Sequence, residues 1–412
     1  MRAVLDHVLR RFIVLGRLAV RWPDGELTTY GGEPGPEAGM AIRDGRTLRR
    51  LVLNTALGLG EGYMDGGIVP VGCGIHELLD LLMANRVADA SRAEVLFGHE
   101  ALRWLTRHLA QFNPARRARR NVAHHYDLNG RLYGLFLDRD RQYSCAYFPT
   151  GRESLEEAQA AKRRHIAAKL CLHRPGLDVL DIGSGWGGTA LALARDHGAR
   201  VTGITLSQEQ LAESRARAAA EGLTDRVRFE LLDYRALQGR FDRIVSVGMF
   251  EHVGVGYYRD FFGVVKNCLA PDGIALLHSI GCSHGPYGTN PWLAKYIFPG
   301  GYCPALSEVL PAIEKAGLFT TDIEILRLHY AETLRHWRRR FAANRDAIAA
   351  LYDERFCRMF EFYLSGAELS FRREGQMVFQ IQMARDQAAV PLTRDYIMAA
   401  ERGATAQAPV SA

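Results

Sequence analysis

From residue 177 onward, apolar segments of strand length alternate with segments of helical pattern, and this alternation restricts the fold more than any other feature. The predicted strands are 177–182, 199–205, 226–232, 243–248 and 273–279, and the predicted helices are 187–196, 207–221 and 257–268. Apolar strands separated by helices form parallel sheets that helices cover on both faces. Two later segments, 319–328 and 377–384, predict two more strands. We therefore predict an α/β fold with a doubly wound, mostly parallel, seven-stranded sheet and helical insertions.

Residues 1–98 form a different compositional unit, which predicts a small α+β domain. Asp24-Gly25 is typical of a hairpin turn between two strands. Segments 47–59 and 75–82 predict helices, and the glycine-rich segment 60–67 predicts a turn. The predicted domains are an N-terminal domain over 1–98, a basic linker helix over 99–120, a sheet domain over 121–390 and a partly disordered tail over 391–412.

Composition excludes several other classes of protein. With 48% apolar and 24% charged residues, the chain can bury a large core, which argues against disorder, collagen and coiled coil. Its seven cysteines include no Cys-x-x-Cys pair, so we expect neither a disulfide framework nor a structural zinc site, and we infer a reducing cytoplasm. We find no secretion signal and no run approaching the roughly 18 apolar residues of a membrane span.

The positive charge is concentrated in one segment. The net charge is +6, and residues 101–120 contain six arginines and no acidic residue, so the rest of the chain is close to neutral. Two interpretations stay open: a solvated linker helix, or a basic amphipathic surface that binds anionic lipid headgroups.

The strongest local motif is the sequence VLDIGSGWGG at 179–188, in which a predicted strand ends near Asp181 and a glycine-rich turn leads into a helix. Glycines allow the backbone to turn sharply and to approach a ligand closely. A dinucleotide site would place an acidic residue at the end of the second strand, but that strand ends in Thr205. The pattern instead resembles the first motif of class I S-adenosylmethionine-dependent methyltransferases.

In that fold the next two strand ends hold the ribose and the adenine of the cofactor. Thr205 and Gln210 are the candidates on the ribose side, although Ser207-x-x-Gln210 is also a helix capping box. Asp233 is placed to accept a hydrogen bond from an adenine amino group, and it is also a plausible helix N-cap.

Longer segments resemble the cyclopropane fatty acid synthase family, which includes the mycolic acid cyclopropane synthases. The matching segments are NVAHHYDL (121–128), YSCAYF (143–148), LDIGSGWGG (180–188), GITLSQEQ (203–210), FDRIVSVGMFEHVG (241–254), LLHSIG (276–281) and KYIFPGG (295–301). GLGEGYMDG at 58–66 matches the additional N-terminal domain of the phospholipid-acting branch.

The resemblance implies that the chain transfers a methylene from S-adenosylmethionine to a cis double bond in a phospholipid acyl chain, with a bicarbonate ion at the reaction centre. The cofactor residues expected from motif and resemblance are Tyr143, Ser144, Asp181, Gly183, Gly185, Gly187, Thr205, Leu206, Gln210, Asp233 and Tyr234. The residues expected at the bicarbonate are Cys145, Glu251, His278, Ile280 and Tyr330.

The same resemblance makes 121–390 the catalytic methyltransferase domain and 1–98 a domain that faces lipid. We expect a cytoplasmic protein that binds the inner face of the membrane peripherally and favours anionic lipid. A homodimer is an arrangement that the resemblance leaves open.

The chemistry needs residues of this kind. An alkene that attacks the sulfonium methyl leaves a carbocation, and ring closure removes one proton from the new methyl group. The site must align the reactants, exclude water and supply a base. Glu251 follows the fourth strand and His278 ends the fifth, so both reach the carboxyl edge of the sheet. There Glu251 could accept the proton of a bicarbonate, and His278 and Tyr330 could donate to its oxygens.

Several residues and motifs have other interpretations. Cys145 is typical of a small buried residue rather than a nucleophile. The pair His124-His125 lacks a third ligand at useful spacing, so we predict no metal and assign the pair to a polar lid over the cofactor. Modification of nucleic acid is disfavoured, because residues 248–254 lack the Asn/Asp-Pro-Pro-Tyr motif of enzymes that methylate bases. A non-catalytic cofactor-binding protein is disfavoured by the presence of Glu251 and His278.

The product stays open within the family. The same cation can close to a cyclopropane, lose a different proton to give a methyl-branched alkene, or add water. Tyr302 and Cys303 depart from the pattern of the bacterial enzymes, so a methyl-branched acyl chain is the alternative product.

Overall fold

The computed structural model describes residues 1–88, 111 and 130–403. The predictions for His124-His125 and, apart from residue 111, for the basic segment 101–120 lie outside these residues.

The strands and helices of the described residues are numbered here in chain order. The strands are β1 (Leu15–Arg21), β2 (Leu27–Gly31), β3 (Glu33–Ile42), β4 (Ile68–Pro70), β5 (Asp178–Ile182), β6 (Arg200–Thr205), β7 (Val227–Leu231), β8 (Phe241–Val247), β9 (Leu269–Cys282), β10 (Phe319–Leu326) and β11 (Gln376–Ala384). The helices are α1 (Arg2–Phe12), α2 (Gly45–Leu53), α3 (Thr55–Met64), α4 (Ile75–Ala88), α5 (Gly130–Phe136), α6 (Leu155–Lys169), α7 (Gly188–His197), α8 (Gln208–Ala220), α9 (Tyr258–Cys268), α10 (Pro291–Tyr296), α11 (Leu306–Ala316), α12 (His329–Ala343), α13 (Arg345–Leu351), α14 (Glu354–Arg373) and α15 (Asp395–Glu401).

The predicted doubly wound sheet is confirmed. In the described part of the chain it has seven strands in the order β10-β11-β9-β8-β5-β6-β7. The pairs β7–β6, β6–β5, β5–β8 and β8–β9 are parallel, and β10 is antiparallel to β11. One core cluster includes Phe261 and Val309 of α9 and α11, and another includes Ile166 and Leu191 of α6 and α7. Because five neighbouring strands are parallel, their carboxyl ends meet at one edge, where the glycine-rich turn lies.

A four-stranded sheet in the order β2-β1-β3-β4 forms within residues 15–70. The β1–β2 and β3–β4 pairs are antiparallel and β1–β3 is parallel, so the predicted hairpin around Asp24-Gly25 is present. The buried side chain of Asn85 on α4 fixes the start of β1, because its Oδ1 accepts from the backbone N–H groups of Val14 and Leu15. Its Nδ2 donates to Leu15 O and Leu81 O, which satisfies the amide completely.

Two local predictions in the N-terminal region were wrong. The helix predicted over 47–59 is divided at Asn54, whose side chain accepts from the N–H of Leu57 and caps α3. The predicted turn over 60–67 is largely helix, because α3 continues to Met64. Its glycines serve close packing instead: a Cβ at Gly60 would lie 2.4 Å from the indole nitrogen of Trp292.

The chain divides into two compact units. One contains the described residues of 1–107 together with 287–299 and 334–376, and the other contains those of 108–286, 300–333 and 377–412. Leu369 of α14 belongs to the same core as Leu18 and Leu78, and Arg373 forms an ion pair with Asp80. Segments remote in sequence therefore complete the N-terminal unit. Searched over the described residues, no helix has the length and apolar character needed to cross a membrane.

The chain end described by the structure is helical up to Glu401. Tyr396 and Ile397 of α15 pack against Ala168 of α6. Residues 404–412 lie outside the described part.

Candidate active site

A cavity of about 1150 Å³, including its open mouth, lies at the carboxyl edge of the large sheet. Of the predicted cofactor residues, those lining it are Tyr143, Ser144, Asp181, Gly183, Gly185, Thr205, Leu206, Gln210, Asp233 and Tyr234. The lining also contains residues that the sequence did not single out, among them Gln142, Trp186, Met249 and His252. The structure thus brings together residues spread over more than ninety positions, from 143 to 234.

The glycine-rich turn forms one wall, and its glycines serve different purposes. Gly183, Gly185 and Gly187 all have positive φ, which favours glycine. A Cβ at Gly185 would meet no atom within 4 Å, so the backbone there faces open space in which a ligand fits. A Cβ at Gly187 would instead lie 2.8 Å from the ring of Phe229, so this glycine packs behind the cavity.

The end of β6 forms a second wall. The hydroxyl of Thr205 donates to Gln210 Oε1 over 2.8 Å and accepts from the N–H of Ser207. Ser207 caps α8 by accepting from the N–H of Gln210, but the Gln210 side chain bonds to Thr205, so only half of the predicted capping box forms. The segment therefore caps α8 through Ser207 and lines the cavity through Thr205 and Gln210, and the ribose role of the last two stays a prediction.

Asp233 lies at the start of a short helix and at the wall of the cavity. It caps a short 3-10 helix at 234–236 by accepting from the N–H of Arg235, and it lines the cavity. Arg235 forms an ion pair with Asp233 at 3.1 Å and lies over the ring of Tyr234. Burial raises the pKa of the Tyr234 hydroxyl to about 12.

A buried lysine lies beneath the cavity. Lys162 on α6 is fully inaccessible and donates to Gln142 Oε1 and Ser144 Oγ, each over 2.8 Å. Burial lowers its pKa to about 7. Asp181 is also buried, and burial raises its pKa to about 7 although the charge of Lys162 opposes this. Its Oδ2 has no hydrogen-bond partner among the described residues.

Sequence reasoning missed Lys162, although a signal was present. Lys162 follows Leu155 by seven positions and Ala158 by four, so all three lie on one face of α6, and all three are buried. A lysine on an apolar helical face needs buried acceptors. Those acceptors come from segment 142–144, which lies outside α6 and about twenty positions before Lys162 in the sequence. The segment becomes adjacent to Lys162 only in the folded chain.

Glu251 lies in a 3-10 helix at 250–252, after β8. Its Oε1 accepts from the N–H of Ile280 over 2.7 Å, and its Oε2 has no partner within the described residues. Burial raises the pKa of Glu251 to about 7, although the Ile280 N–H favours the ionised form. The residue is therefore poised to exchange a proton near neutral pH.

His278 lies near the end of β9, opposite Val247 of β8. Its Nδ1 is 3.1 Å from the side-chain amide of Gln380, and burial lowers its pKa far enough to keep the imidazole neutral. When the Gln380 amide donates to Nδ1, the ring proton is on Nε2. Nε2 has no partner in the described part of the chain.

Cys145 lies in segment 143–148 and Tyr330 lies on α12, and hydrogen bonds connect this segment to this helix. The backbone N–H of Ala146 donates to Thr333 on α12, and that of Phe148 donates to His329. The ring of Tyr147 stacks on His165 at 4.3 Å and on His329 at 5.0 Å. Tyr330 is buried, and burial raises the pKa of the Cys145 thiol well above its usual value.

The candidate site therefore has two parts. Glu251, His278, Ile280, Cys145 and Tyr330 are buried or nearly so, and none of these described residues lines the cavity. Their neighbours do: Ser144 precedes Cys145, and His252 follows Glu251. Glu251 thus adjoins the cavity wall in sequence, and the backbone carbonyl of His278 accepts from the N–H of Gly248, which lines the cavity.

This fold, with a glycine-rich turn at the carboxyl edge and a cavity walled by the next two strand ends, defines a class I S-adenosylmethionine-dependent methyltransferase. Within that class, the chain belongs to the mycolic acid cyclopropane synthetase family, whose sequence model matches residues 113–381.

Sequence and structure comparisons with individual members of the family support this assignment. The chain is 39% identical over 350 residues to a cyclopropane-fatty-acyl-phospholipid synthase of Escherichia coli (strain K12), covering 84% of this chain and 88% of that protein. It is 36% identical over 377 residues to a probable fatty acid methyltransferase of Pseudomonas putida, covering 88% and 92%. A crystal structure of the mycolic acid cyclopropane synthase CmaA1, complexed with SAH and CTAB, superposes with a TM-score of 0.62 at 33% identity, covering 66% of this chain and 99% of that one.

Proposed function

We propose that this enzyme transfers a methylene from S-adenosylmethionine to the cis double bond of an unsaturated phospholipid acyl chain and forms a cyclopropane ring. The observation that carries this proposal is that Glu251, which follows β8, and His278, on the neighbouring strand β9, are both buried. Each has one polar atom without a partner among the described residues, and the adjoining segments line the cavity. Buried polar atoms are seldom left unpaired in native proteins, so a ligand or an ordered water is expected to meet these two.

The cavity residues bind and orient the cofactor in this proposal. Gly183 and Gly185 let the backbone approach the ligand, Thr205 and Gln210 lie on its ribose side, and Asp233 accepts from its adenine amino group. S-adenosylmethionine supplies an electrophilic methyl group. Segment 143–148 is held by α6 and α12, so Tyr143 and Ser144 have fixed positions at the cavity.

The second part of the site handles the proton. The alkene electrons form a bond to the transferred methyl carbon, and the sulfonium leaves as a neutral thioether. The adjacent carbon is then a cation, which closes to the ring when one C–H bond of the new methyl group supplies its electrons. A bicarbonate ion bound here would supply the base. Glu251 Oε2 can accept its proton, and the N–H at His278 Nε2 can donate to one of its oxygens.

Burial supports the same proposal, because water would trap the cation as an alcohol. Glu251 and His278 are 8% and 2% exposed, and Cys145 is 1% exposed with a thiol that burial keeps protonated. Cys145 and Ile280 thus contribute packing and backbone contacts around the reaction centre, and the hydroxyl of Tyr330 is a further donor.

A methyl-branched acyl chain is the second candidate product. The relative from Pseudomonas putida is named a probable fatty acid methyltransferase, and its identity to this chain, 36%, is close to that of the cyclopropane synthase, 39%. Both products need the same cofactor and the same cation, and they differ in which C–H bond loses its proton.

Product analysis tests the function. The purified enzyme is incubated with dioleoyl phospholipid and methyl-labelled S-adenosylmethionine, and the fatty acid methyl esters are analysed by mass spectrometry. We expect a labelled product one CH2 heavier than oleate that resists hydrogenation, as a cyclopropane does under mild conditions. A product of that mass that takes up hydrogen indicates the methyl-branched alkene instead. Absence of any labelled acyl chain contradicts both products.

For its substrate and location, we propose a cytoplasmic enzyme that reaches its acyl chains by binding the inner face of the membrane peripherally and favours anionic lipid. An acyl chain leaves the bilayer only at a cost of about 0.8 kcal/mol per CH2 group. The enzyme must therefore come to the bilayer, for which the basic segment 101–120 and the N-terminal domain are candidate surfaces.

A further inference from the structure

Helix α2 in the N-terminal unit is strongly amphipathic. Thr47, Leu48 and Leu51 are buried against the N-terminal core, whereas Arg46, Arg49 and Leu53 are exposed. At 3.6 residues per turn, these three exposed residues lie within an arc of about 60°. Arg43 precedes the helix and is exposed as well. We call Arg43, Arg46, Arg49 and Leu53 the α2 basic face.

The arginines of this face are not neutralised by ion pairs. In the described residues, Arg43, Arg46 and Arg49 form no salt bridge, whereas the next arginine, Arg50, pairs with Asp65. The acidic group beside them, Asp44, caps the helix by accepting from the N–H of Thr47 over 2.7 Å. That hydrogen bond and the charge of Arg46 lower its pKa, so Asp44 stays ionised and offsets one of the three positive charges.

Leu53 adds an apolar element to the same face. It is 69% exposed at the last position of α2, among the most exposed large apolar residues of the described chain. Exposing a leucine to water is unfavourable, and transferring it to hydrocarbon is worth a sizeable fraction of its burial energy. Positive charge around an exposed leucine matches a surface that is anionic outside and apolar beneath.

A second exposed helix of this unit lacks the combination. Helix α1 exposes Val4, and the exposed Met1 precedes it, but Arg2 pairs with Asp24 and Glu26, and Arg10 pairs with Asp6. Within the described chain this leaves Arg11 as the one exposed arginine of α1 without an ion pair, against three in the α2 basic face. The apolar residues of α1 are therefore accompanied by acids that would be repelled by an anionic surface.

We propose that the α2 basic face is the surface by which this enzyme docks on an anionic lipid bilayer, with the arginines on the headgroups and Leu53 inserted at the acyl boundary. The inference rests on the proposed function, because a phospholipid acyl substrate requires contact with a bilayer. It goes further by naming which residues make that contact and by separating them from the basic segment 101–120.

The magnitudes make the proposal measurable. Each Lys or Arg near an anionic surface strengthens binding by roughly fivefold, so neutralising three should weaken it about a hundredfold. Removing one inserted leucine should weaken it about tenfold. The electrostatic part should fade as salt shortens the Debye length from about 10 Å at 0.1 M to about 3 Å at 1 M.

Vesicle sedimentation of the full chain tests these expectations. The vesicles are equimolar dioleoyl phosphatidylglycerol and dioleoyl phosphatidylcholine, with pure dioleoyl phosphatidylcholine for comparison. The triple variant R43Q/R46Q/R49Q should lose about a hundredfold in affinity for the anionic vesicles. Leu53→Ser should lose about tenfold and keep the salt dependence of the wild type.

The matched control is R152Q/R164Q/R240Q in the other unit. These three arginines are also exposed and unpaired within the described chain, and the net charge changes equally. The control should bind anionic vesicles like the wild type. If both triple variants lose the same affinity for anionic vesicles, the effect is one of net charge and the proposal is overturned. The proposal is also overturned if R43Q/R46Q/R49Q binds anionic vesicles as tightly as the wild type, or if the wild type binds both kinds of vesicle equally. Sedimentation velocity without lipid tests whether the face binds a second copy of the chain. If the wild type is an oligomer and the α2 substitutions convert it to a smaller species, the face is an interface between copies and the docking proposal is overturned.

A parallel assay separates this proposal from the proposed function. Dioleoyl phospholipid dispersed in detergent micelles presents the same double bond without a bilayer surface. The α2 variants should form product from these micelles at the wild-type rate and lose activity on anionic vesicles. If the wild type forms no labelled acyl chain from either preparation, the proposed function fails, whatever the sedimentation shows. If it forms product but the α2 variants are equally active on vesicles, the docking surface alone fails.

Discussion

At the scale of the residue, burial sets the protonation of the two groups most important to the proposed chemistry. Glu251 has a backbone N–H as its partner at Oε1, and burial raises its pKa to about 7. His278 is buried beside a glutamine, and burial lowers its pKa so that the ring is neutral. An acid that titrates near neutral pH is suited to moving a proton, and a neutral imidazole can donate a hydrogen bond from its ring N–H.

Glu251→Gln removes the proton acceptor while keeping the side-chain shape and an oxygen for the Ile280 N–H. We expect cofactor affinity within about twofold of the wild type and turnover reduced at least about a hundredfold. Because only the ionised carboxylate accepts a proton, wild-type turnover should rise with pH through about 7. The residual activity of the variant should lack that rise.

The measurements are calorimetric cofactor binding and turnover from pH 5.5 to about 8.5, a window that brackets this pKa. Glu314→Gln is the control, since Glu314 is exposed on α11 and makes the same chemical change. Wild-type turnover in Glu251→Gln would remove this residue from the mechanism.

At the scale of the element, α6 supports the cofactor wall from beneath. Lys162 donates to the side chains of Gln142 and Ser144, and Gln159 on the same helix donates to the Ser144 carbonyl. On the other side, α12 accepts from the backbone of Ala146 and Phe148. Segment 142–148 has no regular secondary structure, so these two helices determine where its residues lie.

Lys162→Met keeps the length of the side chain and removes both of its hydrogen bonds. We expect the Kd for S-adenosylmethionine to rise by about thirtyfold, because two hydrogen bonds of roughly 1 kcal/mol each no longer hold Gln142 and Ser144. The free energy of unfolding should also fall by about 1–3 kcal/mol, because the substitution leaves buried acceptors without their donor.

The comparison uses calorimetric cofactor binding and thermal unfolding of the same preparations. Arg164→Met, an exposed position on the same helix, is the control. Unchanged cofactor affinity together with a lowered Tm would show that Lys162 is merely structural.

The bounds of most strands could be predicted from the sequence, whereas one helix could not. All seven strands of the large sheet were predicted, six of them within two residues of their observed bounds, because period and apolar content are local properties. The exception is β9, which runs over Leu269–Cys282 instead of the predicted 273–279. The error at 60–67 arose because glycine has two uses. It permits turns, and it also permits close helix contacts such as that of Gly60 with Trp292, which lies more than two hundred positions away.

At the scale of the whole molecule, a buried ionic cluster joins distant parts of the methyltransferase unit. His165 on α6 bonds to Glu324 on β10 and to Glu401 on α15, and Lys169 pairs with Glu324 as well. Burial alone would raise the pKa of Glu324, but the bond from His165 and the charge of Lys169 lower it to about 2. Burial opposes protonation of His165, but its two glutamates raise its pKa overall.

These shifts have opposite consequences for stability. The lowered pKa of Glu324 contributes stability that is present above about pH 4.5 and is lost as the pH falls toward 2. The raised pKa of His165 contributes stability below about pH 6.5, lost as the pH rises through its folded value.

Glu324→Gln should therefore lower the free energy of unfolding at pH 6 by about 2 kcal/mol and flatten its decline between about pH 4.5 and 2. Urea unfolding across this range measures both effects. Glu314→Gln should reproduce the wild-type curve. A variant with the same acid decline as the wild type would exclude Glu324 as its source.

The sequence by itself determined the class of fold, the glycine-rich turn and the strand ends that wall the cavity. These depend on local periodicity and on spacing along parallel strands, which a sequence displays directly. Only the tertiary structure decided that α14 completes the N-terminal unit, that Lys162 supports segment 142–144, and that Glu251 and His278 are buried with one polar atom each that meets no partner among the described residues. These facts depend on burial and on contacts between residues distant in the chain. Desolvation and packing arise only when those residues meet, and no local pattern encodes them.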